Sequence, residues 1–253
     1  MKKTKKIKKT TFLVSTAFVL IALSLLLPGI AFAQEEPIPF PEVENSSSVV
    51  NIILLLTILS IAPAILLMMT CFTRIIIVLS FTRSGIGAQQ MPPNQVLIGL
   101  ALFLTFFIMQ PVLSEINREA YRPLMQGEIN TQEALERGKK PLKEFMLKNT
   151  YSQDLNLFIE LSGKDAPETY DELPMTTVVP AFAISELKRG FQMGFFILIP
   201  FIVIDMIVAS TLMSMGMMML PPTMISLPFK VLLFVLVDGW SLTVKTLVES
   251  FGG

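Results

Sequence analysis

Histidine is absent from this 253-residue sequence and cysteine occurs once, at Cys71. The first absence removes the imidazole bases and ligands of Ser-His hydrolases, rhomboid-type proteases and His-ligated zinc or haem sites. The second excludes an internal disulfide or a thiolate metal cluster. Charge is scarce as well, at 16% of residues against about 25% in soluble domains. The formal net charge is zero, so nothing suggests a nucleic-acid partner. No Gly-x-x-x-x-Gly-Lys loop is present to hold nucleotide phosphates. What is abundant is apolar: 52% of residues are hydrophobic and the mean hydropathy is +0.64. The composition is that of a membrane protein.

The balanced charge hides an asymmetry. Lys2, Lys3, Lys5, Lys6, Lys8 and Lys9 open the chain, and an uncharged stretch follows from Thr10 to Gln34. It closes on Ala31-Phe32-Ala33, a small-x-small exit, just after the helix breakers Pro28 and Gly29. This order reads as a secretory signal peptide over 1–33, cleaved at the Ala31/Ala33 site, with an uncleaved anchor helix as the alternative. Removing six lysines leaves 14 basic against 20 acidic residues, a net of −6, and an N-terminus outside the cytoplasm. Residues 34–48, rich in Pro and Ser, read as a short periplasmic leader.

Four apolar regions follow. Asn45–Thr73 and Ser84–Ser114 carry no charge, Gly190–Phe229 carries only Asp205, and Val231–Val248 carries Asp238 and Lys245. Each of the first three exceeds the roughly 20 residues a helix needs to cross a bilayer. Four crossings are predicted, near 49–70, 94–114, 190–211 and 229–248. Loop 71–93 holds Arg74 and Arg83 and no acid, and loop 212–229 exits at Lys230, which places both in the cytoplasm by the positive-inside rule. The fold expected is therefore all-α, with a first helical hairpin over 49–114, a periplasmic helical domain over 115–189 and a second hairpin with a methionine-rich loop over 190–253. Inside 115–189, Asn130-x-x-Glu133 resembles a capping box, and Leu135, Leu142, Phe145 and Met146 follow at helical spacing. Leu155, Phe158 and Ile159 form a second stripe. Prolines 63, 111 and 200 fall inside spans, and Pro180 suits the first position of the third helix.

The last third holds the candidate functional residues. A carboxylate at membrane depth costs about 2.5–3.5 kcal/mol on insertion scales, so Asp205 should face protein or water. Lys230 lies across loop 212–229 from it, and an antiparallel arrangement would pair the two between helices or between subunits. The bland alternative is a snorkelling lysine and a protonated aspartate. Glu186 is either a solvated helix residue near Lys188 and Arg189 or half of an inter-subunit ion pair, and Asp238 is a further buried or interface charge. Met213, Met215, Met217, Met218, Met219 and Met224 fall within twelve residues around Gly216 and Pro221-Pro222. Methionine is flexible and polarizable, and broken backbone at membrane depth is tolerated only against protein or a water-filled cavity. The cluster is a deformable apolar gasket, core filler or, less simply without nearby His or Cys, a Cu(I) site. No cofactor or metal is expected.

Three stretches, PAFAISELKRGFQMGFFILIPFIVIDMIVAS, LMSMGMMMLPP and SLPFKVLLFVLVDGW, resemble the FliP/SctR family of type III secretion export-gate proteins, and the resemblance extends over essentially the whole chain. It implies a non-enzymatic, pore-forming subunit in the bacterial inner membrane at the flagellar basal body, which passes unfolded flagellar subunits. It further implies about five copies in a helical rather than flat arrangement, with FliQ-like and FliR-like partners. Subunits of the family stand largely above the bilayer plane. Met217, Met218 and Met219 would form the constriction, and Asp205 and Lys230 would join neighbouring subunits. The alternatives are a virulence-type export gate, a proton-coupled transporter working through Asp205 and Lys230, or an intramembrane aspartyl protease. The last would use Asp205 and Asp238 as a dyad, but Ile-Asp-Met and Val-Asp-Gly lack the usual surroundings of such aspartates.

Overall fold

The structure is a computed structural model in which residues 46–88, 91–163, 169–217 and 219–252 are described. The expected cleavage site at Ala31 and Ala33, most of the leader, and Met218 lie outside the described residues. The chain divides into two compact units between Thr57 and Ile58. Of the described residues, the first unit holds only the beginning of one helix, and the account below concerns the second.

Among the described residues every regular element is a helix. Helix α1 (Ser46–Met69) continues through Pro63. At Thr70–Cys71 the path bends by 68° into α2 (Phe72–Ile86). The Thr70 hydroxyl accepts from the Phe72 N–H at 3.4 Å and the Thr73 hydroxyl donates to the Leu67 carbonyl at 2.7 Å, so side chains satisfy backbone groups freed at the corner. Helix α3 (Asn94–Ile116) runs on through a π-helical stretch, Asn117–Tyr121, and a short helix, Arg122–Met125. Helix α4 (Thr131–Lys148) starts at Asn130, whose side chain accepts from the Glu133 N–H at 2.9 Å. Helix α5 (Ser152–Leu161) is short, and α6 (Met175–Ser214) is 40 residues long. Helices α7 (Pro222–Leu236) and α8 (Gly239–Gly252) close the chain.

Among the described residues, two helical stretches are long and apolar enough to cross a membrane alone, Asn94–Met125 and Met175–Ser214. Two more qualify only if each bent pair counts as one span: Leu59–Met69 with Phe72–Ile86, and Pro222–Leu236 with Gly239–Gly252. Several expectations change here. The expected cytoplasmic loop 71–93 is mostly helix, because α2 buries Arg74, Ile75, Val78 and Leu79 and its charges are satisfied internally. The third helix begins at Met175 after Pro174 and not at Pro180, and it runs through Pro180 and Pro200. The fourth span is broken at Val237–Asp238.

Helix α2 lies parallel to α6, in a register marked by glycines. A Cβ on Gly190 would meet Ile77 at 3.2 Å, one on Gly194 would meet the Phe81 ring at 2.5 Å, and one on Gly85 would meet Phe201 at 2.6 Å. Gly190 and Gly194 lie one turn apart on α6, and their missing side chains admit the large residues of α2. The main core joins Cys71 at the bend and Ile75, Val78 and Leu79 of α2 to Leu97, Ala101 and Met109 of α3 and Leu247 and Phe251 of α8. A second core gathers Met146 of α4, Leu155 and Ile159 of α5, and Val178, Ala181 and Phe182 at the start of α6. Residues 115–189 thus pack onto the long helices. Leu135, expected on the inner stripe of α4, is exposed.

Candidate functional site: a methionine turn on a charge-locked hairpin

Helices α6 and α7 form an antiparallel hairpin, and the methionine-rich segment is its tip. Its first half is a helix stop. Gly216 takes φ +73°, its N–H donates to the Met213 carbonyl at 3.1 Å, and the Met217 N–H reaches back to Leu212 at 3.0 Å. These two bonds define a Schellman motif, in which the left-handed residue is normally glycine because a Cβ is penalised there. The second half is set by Pro221 and Pro222. Pro222 occupies the first turn of α7, where a missing N–H costs nothing. The methionines in and beside the turn are not absorbed into their own chain: Met219 is 98% exposed, and Met213, Met215 and Met224 are each more than half exposed. Met217 is 41% exposed. These exposures do not fit core filler.

Behind the tip, one charged cluster joins the two arms. Lys230 Nζ lies 2.5 Å from Asp205 Oδ2, and the Ser226 hydroxyl donates to Asp205 Oδ1 at 2.5 Å. Ser226 and Lys230 are one turn apart on α7, so both reach one carboxylate on α6. Lys230 is buried and the Asp205 side chain is one-third exposed. Farther along, the Phe201 and Phe234 rings are 6.3 Å apart. The pair therefore closes within one chain. Of the two pairings expected, between helices or between subunits, the single chain makes the first, because the α6–α7 turn is short enough to bring a lysine and an aspartate 25 positions apart to the same height.

Glu186 is also used internally. Arg74, fully buried on α2, holds it through both carboxylate oxygens, with Nε to Oε2 at 3.1 Å. Arg74 Nη1 donates to the Ser250 carbonyl and hydroxyl at 3.2 and 2.9 Å, and its guanidinium lies 3.7 Å from the centre of the Phe251 ring. Glu186 is buried and not solvated, and within the chain its partner is an arginine 112 positions away, brought alongside by the parallel α2. A third cluster lies on α5. Buried Asp154 accepts from the Ser185 hydroxyl at 2.7 Å and pairs with Lys188, and Ser185 in turn accepts from the Tyr151 N–H at 3.0 Å. Among the described residues no buried side-chain N or O lacks a partner.

Asp238 is not a buried charge. It sits exposed at the corner between α7 and α8 with φ +48°, a left-handed position that aspartate tolerates better than most residues. Asp205 is level with Ser226 and Lys230, and Asp238 lies about two helical turns beyond Lys230, past the end of α7, so the two do not form a dyad. Reading the sequence missed Arg74, Asp154, Ser226 and Ser250. The signal for Arg74 was present: it is the first charge after a long uncharged run, and hydropathy alone assigned it to a loop. Asp154 and Ser250 carry no local signal.

Comparison with known proteins places these features in a family context. Residues 55–247 match the FliP family. The chain is 64% identical over 208 residues to the flagellar biosynthetic protein FliP of Bacillus subtilis (strain 168), covering 82% of this chain and 94% of that one. It is 52% identical over 225 residues to the protein of the same name from Pectobacterium carotovorum subsp. carotovorum, covering 89% and 86% respectively. With the Aquifex aeolicus (strain VF5) protein of that name it shares 45% identity over 234 residues, 91% of this chain and 98% of the relative. The matched region contains α2, α6, the methionine tip and both buried ion pairs.

Proposed function

The chain belongs to the FliP family, and from that membership we propose that it is a subunit of the flagellar type III protein export gate in the bacterial inner membrane. Its role is to line a conduit for unfolded flagellar subunits and to close it with the methionine tip. The observation that carries this reading is a cluster of exposed methionines on and beside a turn whose backbone is fixed at both ends, by Gly216 and by Pro221-Pro222.

The physics of the tip suits a seal. Thioether side chains are apolar, so several brought together exclude water and ions. Each has three rotatable bonds, so the cluster reshapes around whatever chain passes and binds no particular sequence tightly. The α6–α7 hairpin carries the tip as a stiff arm, since its charges are satisfied by Asp205, Ser226 and Lys230 of one chain. With those charges neutralised, the outer faces of the arm are free to meet neighbours through apolar contact. Phe191, Phe195, Phe196, Met206 and Ile207 of α6 are exposed in the single chain, which suits packing against further copies, FliQ-like and FliR-like subunits, or lipid. The tip faces the cytoplasm, and residues 115–189 and the N-terminal leader lie on the periplasmic side. Driving energy comes from other components.

The test is electrical. Purified export-gate complex in a planar bilayer is expected to conduct poorly, and the Met217/Met218/Met219→Ala complex is expected to leak ions. Equal conductance in the two would remove the methionines from the seal.

A further inference from the structure

The last helix is attached differently from its neighbours. Its start is a corner: α7 and α8 meet at 60°. Asp238 holds a left-handed φ there, and Gly239 is so close to Phe234 that a Cβ would sit 2.2 Å from the ring. Along its length, α8 buries a narrow stripe, Gly239, Thr243, Leu247 and Phe251, spaced every fourth residue. Two members of that stripe have little apolar surface to contribute. Beside its first half, an apolar groove of about 500 Å³ opens between α6, α7 and α8, lined by Met193, Pro200, Leu233, Val237, Leu242 and Thr246. The near end of α8 is thus not tightly packed against α6. Its far end is held in the main core by Leu247 and Phe251, whose ring stacks on Phe145 at 6.3 Å, and by the Ser250 carbonyl and hydroxyl and the Phe251 ring on the Arg74 guanidinium.

We propose that α8 is a hinged strap, pivoting at Asp238–Gly239 and latched at its far end by Arg74, which can release from the rest of the chain while α7 stays locked to α6. Three features support this division. The two halves of the bent pair are fastened to the body by separate charged residues, α7 by Asp205 through Lys230 and Ser226, and α8 by Arg74. The fastening of α8 can be undone without stranding a charge, because Glu186 continues to neutralise Arg74 when Ser250 and Phe251 leave. The groove at the hinge gives the corner room to move. Arg74 acts here as a positioning residue that holds the strap.

The test is amide hydrogen exchange on the full-length protein in detergent micelles, comparing wild type with Ser250→Ala/Phe251→Leu. These changes leave the Arg74–Glu186 pair intact, so the fold should survive. Amides of Thr243–Glu249 are expected to exchange at least tenfold faster, while those of Leu227–Leu236 keep their wild-type rates. A second variant, Asp205→Asn, should do the reverse and speed exchange in α7. If α7 and α8 accelerate together in Ser250→Ala/Phe251→Leu, the two helices form one cooperative unit and the strap is wrong. If neither changes, the Ser250 hydroxyl and the Phe251 ring do not fasten α8 and the latch as proposed is wrong.

Discussion

Asp205 shows how much one residue can fix. Its carboxylate is satisfied by two side chains from a single turn of α7, so it sets the register of the α6–α7 hairpin and, with it, the position of the methionine tip. Losing one partner of a fully buried pair costs about 3–5 kcal/mol, because the other charge is stranded. Asp205 is one-third exposed, so Asp205→Ala should cost less, about 2 kcal/mol after allowing for solvent screening. Thermal denaturation in detergent should show a clear drop in midpoint, and the exchange Asp205→Lys/Lys230→Asp should recover part of it. A midpoint unchanged in Asp205→Ala would mean that the pair does not hold the hairpin. The charge itself was legible in the sequence, since an aspartate in an uncharged run needs a partner. That the partner belongs to the same chain was not, because spacing of 25 residues fits an intrachain hairpin and a neighbouring subunit equally well.

At the scale of elements, the decisive contact is α2 against α6. The sequence places Gly190 and Gly194 one turn apart, but many apolar helices contain such spacing. Only the structure shows which neighbour fills the space, with Ile77 and Phe81 lying where side chains on those glycines would go. Gly99 of α3 offers a control within the same molecule, since a Cβ there meets nothing within 4 Å. Gly99→Ala should therefore be neutral or stabilising, by up to about 1 kcal/mol from helix propensity. Gly194→Ala should destabilise by about 1–3 kcal/mol, as overpacking does, because Phe81 must move. Melting the two variants side by side checks the difference, and equal midpoints would count against the α2–α6 contact. The same element explains why hydropathy misread residues 71–93. Arginines at 74 and 83 make the stretch look like a loop, yet Arg74 is buried against Glu186 and most of the stretch is helix.

Taking the second unit as a whole, Arg74 ties together three helices that are far apart in sequence: its own α2, α6 through Glu186, and α8 through Ser250 and Phe251. A charge buried this completely matters more when it is orphaned than when it is present. Arg74→Ala should leave Glu186 without a counter-charge and sharply reduce the amount of folded protein recovered from membranes. Arg74→Met/Glu186→Met replaces the pair with apolar volume and should restore recovery. Failure of the double variant to recover would show that the pair does more than cancel its own burial cost. What the amino-acid order determined unaided is local and additive: the membrane-compatible helices, the Gly216 and Pro221-Pro222 punctuation of the methionine turn, the Asn130 cap, and the need of each buried charge for a partner. Which partner each charge takes was decided only by the tertiary structure. Pairing depends on the height and direction of helices distant in sequence, and those are set by how α2 packs onto the glycines of α6, a contact that no local property of either helix contains.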